Sequence, residues 1–130
     1  MGARLTLQTW GIARKIRVVD ALVTPELQQR VREAHPEVSF AALAGGRGLT
    51  HRKKERAGEL ERLYILDQVG IQLDPAVTRA ALGSSVGRDD VVDAAVCLAT
   101  AWRVMRGQEL VLPDGEPEYD ARGLRMEIVA

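Results

Sequence analysis

Three aspartates open the most apolar stretch of this sequence, Arg88-Asp89-Asp90-Val91-Val92-Asp93-Ala94-Ala95-Val96-Cys97-Leu98-Ala99-Thr100-Ala101-Trp102. Acids suit the first turn of a helix, where unpaired amides and the helix dipole favour negative charge, and Asp89 is a natural cap. Asp93 needs a different account. It follows Asp90 by three positions, a spacing that puts both carboxylates on one helix face with Cys97 and Thr100. Like charges that close repel, so such a pair is either solvated or neutralised by a cation or another charged group. A capped, solvated helix start and a metal or acid–base site both satisfy this spacing.

Two further groups could do chemistry. Glu33 and His35 are separated by one residue just before Pro36, which pushes His35 toward extended backbone, so both would share one face of a short strand. A surface acid on an edge strand and a hydrogen-bonded structural histidine are the plainer readings of these residues. The run His51-Arg52-Lys53-Lys54, with Arg47 and Arg56 on either side, is the one dense basic cluster. It reads as a solvated face or, alternatively, as a surface for phosphates.

The elements that must carry these residues follow from periodicity and punctuation. Met1 to Gly11 shows no clear element. Ile16, Val19, Leu22 and Val23 then recur at helical spacing, and Thr24-Pro25 restarts the chain in a short helix to about Arg30. Pro36 opens a helix carrying Val38, Phe40, Ala41 and Leu43, which Gly45-Gly46 ends. A longer helix is expected from Lys54 to Val69, with Leu60, Leu63, Tyr64 and Leu66 inward and Glu59, Glu61 and Arg62 outward. Asp74-Pro75 predicts a brief helix over 76–82, and residues 83–87 form a loop. The main helix runs from Asp89 to about Arg106, burying Val92, Val96, Ala99 and Trp102. Leu110-Val111-Leu112 reads as extended, Pro113-Asp114-Gly115 as a turn, and Leu124 to Val129 as a closing strand.

Composition sets the outer limits. A chain of 130 residues supports one domain and a single core. With 18 basic and 18 acidic residues there is no global charge to draw nucleic acid or a membrane, so any such contact depends on local clusters. A single cysteine, Cys97, has no partner within the chain and reads as a core thiol in a reducing compartment. There is no basic leader followed by an apolar run and no window that approaches a membrane span, so a cytoplasmic protein without a membrane contact is expected. Hydrolysis by a cysteine or serine nucleophile finds no support, since no histidine neighbours Cys97 and Ser84-Ser85 lacks the pattern of a nucleophile turn.

Several of these segments, taken in order, resemble domain-of-unknown-function family 429. They are Gly11-Ile12 with Lys15-Ile16 and Asp20, Glu33-Ala34-His35-Pro36-Glu37-Val38-Ser39-Phe40, Lys53-Lys54 with Gly58 and Arg62, Asp89-Asp90-Val91-Val92-Asp93-Ala94, and the tail Arg122-Gly123-Leu124-Arg125-Met126-Glu127-Ile128. Members of the family are described as predicted ribonuclease H-like nucleases. The resemblance implies an α/β fold, a mixed five-stranded sheet with helices on both sides and acids gathered at the ends of central strands and the last helix. In the related Holliday-junction resolvases that helix bears Asp-x-x-Asp-Ala, the spacing of Asp90 to Ala94.

By this resemblance Glu33, Asp90 and Asp93 are the expected catalytic residues and ligands of two Mg or Mn ions about 4 Å apart, which activate water and stabilise the leaving oxygen of a phosphodiester. His35, Glu37, Lys53, Lys54 and Arg62 are the expected substrate-binding residues, and nucleic acid the expected partner. The family's opening Gly-x-Asp-Gly strand and its later strand with Asp followed by Pro are absent here. Residues 1–130 are therefore expected to be the C-terminal part of a single ribonuclease H-like domain without its N-terminal strands, mostly helical with a few short strands. Such a part would expose the inner faces of its helices, self-associate and be inactive alone. A non-catalytic module that binds nucleic acid or protein is the alternative, motivated by the missing upstream acids.

Overall fold

The computed structural model describes residues 7–74, 76, 80 and 86–130. They form a mixed, mostly helical structure with one small antiparallel sheet. The chain divides into two compact units, Met1–Arg32 with Pro117–Met126, and Glu33–Glu116 with Glu127–Ala130.

The first unit is built on helix α1, Leu7–Leu22. It begins earlier than the sequence suggests and runs through Gly11, because one helical glycine costs only about 1 kcal/mol relative to alanine and good helix formers flank it. Arg122 closes its C-terminal end. The guanidinium donates to the carbonyls of Asp20 and Val23 and pairs with the Asp20 carboxylate, satisfying acceptors that a helix end leaves open. The helix expected after Thr24-Pro25 is a single 3-10 turn, Leu27–Gln29, whose first amide donates to Thr24 Oγ1. Gln28 holds the returning strand of chain by exchanging two hydrogen bonds, both 2.8 Å, with the backbone of Arg125.

Three helices of the second unit lie fully among the described residues. Helix α2 spans Pro36–Leu43, α3 spans Arg56–Gln68 and α4 spans Arg88–Met105. Phe40 from α2, Leu66 from α3 and Val92, Ala95, Val96 and Ala99 from α4 form the core. Inside it the Thr100 hydroxyl donates to Ser39 Oγ at 2.8 Å, so two buried hydroxyls tie α2 to α4 without an orphaned polar group. Trp102, expected inside, is 38% exposed, and Leu60 and Tyr64 also face out. The inward side of α3 is instead set by Leu66 and by Arg62, which was expected to point to solvent and is 3% exposed.

Strands β1, Val111–Leu112, and β2, Ile128–Val129, pair antiparallel with Val111 opposite Val129. The strand expected before Pro36 is reduced to one parallel bridge from Ala34 to Val129, with the Val129 amide donating to the Glu33 carbonyl at 2.8 Å. Polar Arg32 and Glu33 offer too little apolar surface for a longer buried strand. The closing strand is likewise confined to its last two apolar residues. Most of the helix expected over 76–82, and the Ser84-Ser85 loop, lie outside the described residues. Among the described residues no helix is long and apolar enough to cross a membrane.

Candidate functional site

Helices α3 and α4 and the basic loop before α3 enclose an open cleft of about 840 Å3, and the loop is fixed by α3 itself. The Glu61 carboxylate accepts the amides of Thr50 and His51, both at 2.9 Å, and stands 3.2 Å from His51 Nδ1. Those two amides hold the Glu61 carboxyl below its ordinary value. From the very next residue of the helix, the Arg62 guanidinium donates to the His51 carbonyl at 3.3 Å. Gly58 makes the approach possible, since a Cβ there would overlap the Arg52 carbonyl. The cluster that the sequence shows as a charge run is thus a loop with an anchored backbone, which projects Lys53 and Lys54 to the cleft.

Arg62 is the floor of that anchor. Its Nη2 donates to both oxygens of Glu37, at 2.9 and 2.7 Å, and its Nη1 donates to the Gly58 carbonyl at 2.9 Å. The guanidinium carbon lies 5.5 Å from the centroid of the Phe40 ring. A buried guanidinium is tolerable only with such partners, and the planar fork supplies several at once. Glu37 and Arg62, both expected to contact substrate, are in this structure partners of one another.

The opposite wall is the first turn of α4. Gly87, not Asp89, caps it, and the Asp90 side chain reaches back to accept the Gly87 amide at 2.8 Å. Asp90 therefore faces its own helix end. Asp93 faces the loop: Lys53 Nζ lies 2.9 Å from Asp93 Oδ2 and 4.0 Å from Asp89 Oδ2. The hydrogen bond to Asp93, with the charges of Asp93, Asp89 and Glu37, raises the Lys53 pKa, so the ammonium is fully charged at neutral pH. Arg88 pairs across the cleft with Glu59 at 2.8 Å. Lys54 and Arg56, at the same rim, are exposed and have no ion-pair partner among the described residues. Burial, and then the Asp93 charge, push the Cys97 thiol up, which keeps it protonated and a poor nucleophile.

Of the three acids expected to share metal ions, Asp90 and Asp93 occupy neighbouring positions of α4 with their carboxylates differently engaged. Glu33 is an exposed residue beside the short sheet. Among the described residues no three His, Cys, Asp or Glu side chains converge on a metal-holding geometry. His35 is exposed and its carbonyl accepts the Ser39 amide in the first turn of α2. Asp89 lines the cleft and Glu61 anchors the loop that borders it, neither having been singled out for that role. No spacing rule marks Glu61, because its partners are backbone amides of a loop.

The second unit is a helical scaffold that sets an anchored basic loop against an acidic helix start. The chain belongs to the protein of unknown function family DUF429, whose model matches residues 1–118. The tail motif at 122–128 lies beyond that match. No curated protein and no solved structure matches the chain.

Proposed function

We propose that this chain acts on nucleic-acid phosphodiesters as part of a metal-dependent, ribonuclease H-like nuclease, with the α3–α4 cleft as the phosphate-facing surface. The observation that carries the reading is the Lys53 ammonium between Asp93 and Asp89, at 2.9 and 4.0 Å, in a cleft whose rim bears Lys54 and Arg56. Two carboxylates that converge on one cation fit a single hydrated Mg2+, an ion that commonly keeps several waters and takes one or two carboxylates plus substrate phosphate. They do not fit the expected pair of ions held by Glu33, Asp90 and Asp93, since Asp90 is turned to the Gly87 amide and Glu33 stands apart.

Asp93 and Asp89 would hold the ion, which when bound supplies Lewis acidity to a phosphoryl oxygen and lowers the pKa of its water. Lys54 and Arg56 supply charge to the phosphate backbone, and the Glu61 anchor fixes where that charge stands. Metal-dependent binding of labelled DNA and RNA by the wild type and by Asp93→Asn, in Mg2+ or Mn2+, tests the assignment without requiring the chain to cleave alone. Loss of the metal dependence in the variant is expected, and a metal dependence unchanged by it would dispose of the role of Asp93.

A second reading, a non-catalytic nucleic-acid-binding module, is favoured by the engagement of the acids themselves. Asp90 caps a helix, and Asp93 is neutralised by a protein cation. That module would bind oligonucleotide in a salt-sensitive way that survives Asp93→Asn and fails when Lys54 and Arg56 are replaced.

A further inference from the structure

We infer that the groove at the C-terminal end of α4 is a base-stacking subsite for single-stranded nucleic acid, with the Trp102 indole as its platform and Arg106 as its phosphate contact. The inference extends the proposed nucleic-acid reading to a second surface and needs no metal ion.

Trp102 follows Ala99 by three positions on α4, yet Ala99 is buried and the Trp102 side chain stays 38% exposed. Packing leaves the ring open. It lines a groove of about 550 Å3 where α2, α3 and α4 end, a volume within the range of small-ligand clefts, with Ala42, Leu43 and Ala99 in the apolar part of the lining. The rise of an α-helix sets Trp102 about 20 Å along α4 from Asp89, so this groove is a separate surface from the α3–α4 cleft.

The charged lining is of one sign: Arg103 and Arg106 border the groove, and no carboxylate does. Arg103 is already engaged. Its Nε and Nη2 both donate to the Gln108 carbonyl, at 3.0 and 2.8 Å, and fix the turn that follows the helix. Arg106 is exposed, and its guanidinium has no partner among the described residues. The indole N–H likewise has no acceptor among them. The cation–aromatic contact found there is Arg62 on Phe40, so neither arginine of the groove covers the Trp102 ring.

These features select a class of ligand. A helix C-terminus carries partial negative charge, which sets a bare anion against the carbonyl end of α4 and offsets part of what the arginines offer. An uncharged apolar molecule would use the ring and leave Arg106 unpaired. A nucleotide answers both groups at once, because its base stacks on the indole whatever its identity and its phosphate meets the guanidinium.

Intrinsic fluorescence tests this on the full chain, since Trp10→Phe leaves Trp102 as the single tryptophan. The probes are an oligothymidylate of about ten nucleotides and an abasic strand of equal length. The oligothymidylate should quench Trp102 and the abasic strand should not. Trp102→Ala should weaken oligothymidylate binding about tenfold and leave abasic binding unchanged, with Trp102→Phe in between, as expected for one lost stack. Arg106→Gln should weaken both strands. Absence of quenching, or a loss in Trp102→Ala that is equal for the two strands, would overturn the subsite; the cleft would stand if replacing Lys54 and Arg56 still weakened binding. Base-dependent quenching at undiminished affinity in that double variant would support the subsite and remove the cleft. Failure of the wild type to bind either strand would overturn both.

Discussion

Glu37 and Arg62, 25 positions apart, meet with both carboxylate oxygens on one guanidinium nitrogen, at 2.9 and 2.7 Å, and the two ends of that pair are not equally buried. The arginine side chain is 4% exposed and the glutamate 41%. Glu37→Ala leaves a buried cation without its carboxylate, whereas Arg62→Met leaves a glutamate that water can solvate. Glu37→Ala is therefore expected to cost about 3 kcal/mol and Arg62→Met about 1–2 kcal/mol, the latter mainly through the lost side-chain bonds to the His51 and Gly58 carbonyls. Chemical denaturation of both variants checks the order, and a larger loss for Arg62→Met would contradict it.

Gly58→Ala should destabilise the protein although alanine is the better helix former. The gain of about 1 kcal/mol in propensity is outweighed by overlap with the Arg52 carbonyl, and relief requires the loop to move away. A net loss of about 1–2 kcal/mol is expected, together with faster amide exchange at Thr50 and His51. A stabilised variant would show that the loop does not pack on α3 as described.

Glu61 governs the same loop through pH. Its folded pKa lies below the ordinary 4.5, so the stabilisation is present above that value and lost as the pH falls through the depressed one. Protection of the Thr50 and His51 amides should collapse in acid before the core does. In Glu61→Ala that protection should already be absent at neutral pH, as hydrogen exchange would record.

Lys53 has the opposite sign. Its pKa is raised above 10.5, so its contribution is present at all lower pH and disappears as the pH rises through the folded value. The difference in stability between wild type and Lys53→Met, discounted for solvent to about 0.5–1 kcal/mol, should be flat across neutral pH and vanish only in strong alkali. A difference that changed between pH 6 and about 8 would place the relevant titration elsewhere.

Replacing Lys54 and Arg56 by alanine should weaken oligonucleotide binding and reduce its salt dependence by about one unit of slope per residue that contacts phosphate. Fluorescence anisotropy at several salt concentrations gives both numbers. Binding unaffected by the double variant would shift the phosphate surface away from this cleft.

Local rules carried the helices. Pro36, Gly45, Gly70 and Gly107 mark ends that the backbone respects, and the burial of Phe40, Val92, Val96 and Ala99 follows from spacing. They also identified the acids and the basic cluster as the groups able to do chemistry. Tertiary contact decided what each of them touches. Arg62 looks outward in its own helix and is buried because Glu37, from another helix, neutralises it. Lys53 looks like one charge in a run and is singled out because Glu61 and Gly58 hold its loop against α3. Periodicity registers which face of a helix is apolar, and it reached the core for that reason. An ion pair between elements depends on where two backbones come to rest, which is set by the packing of the whole unit and leaves no period in the sequence.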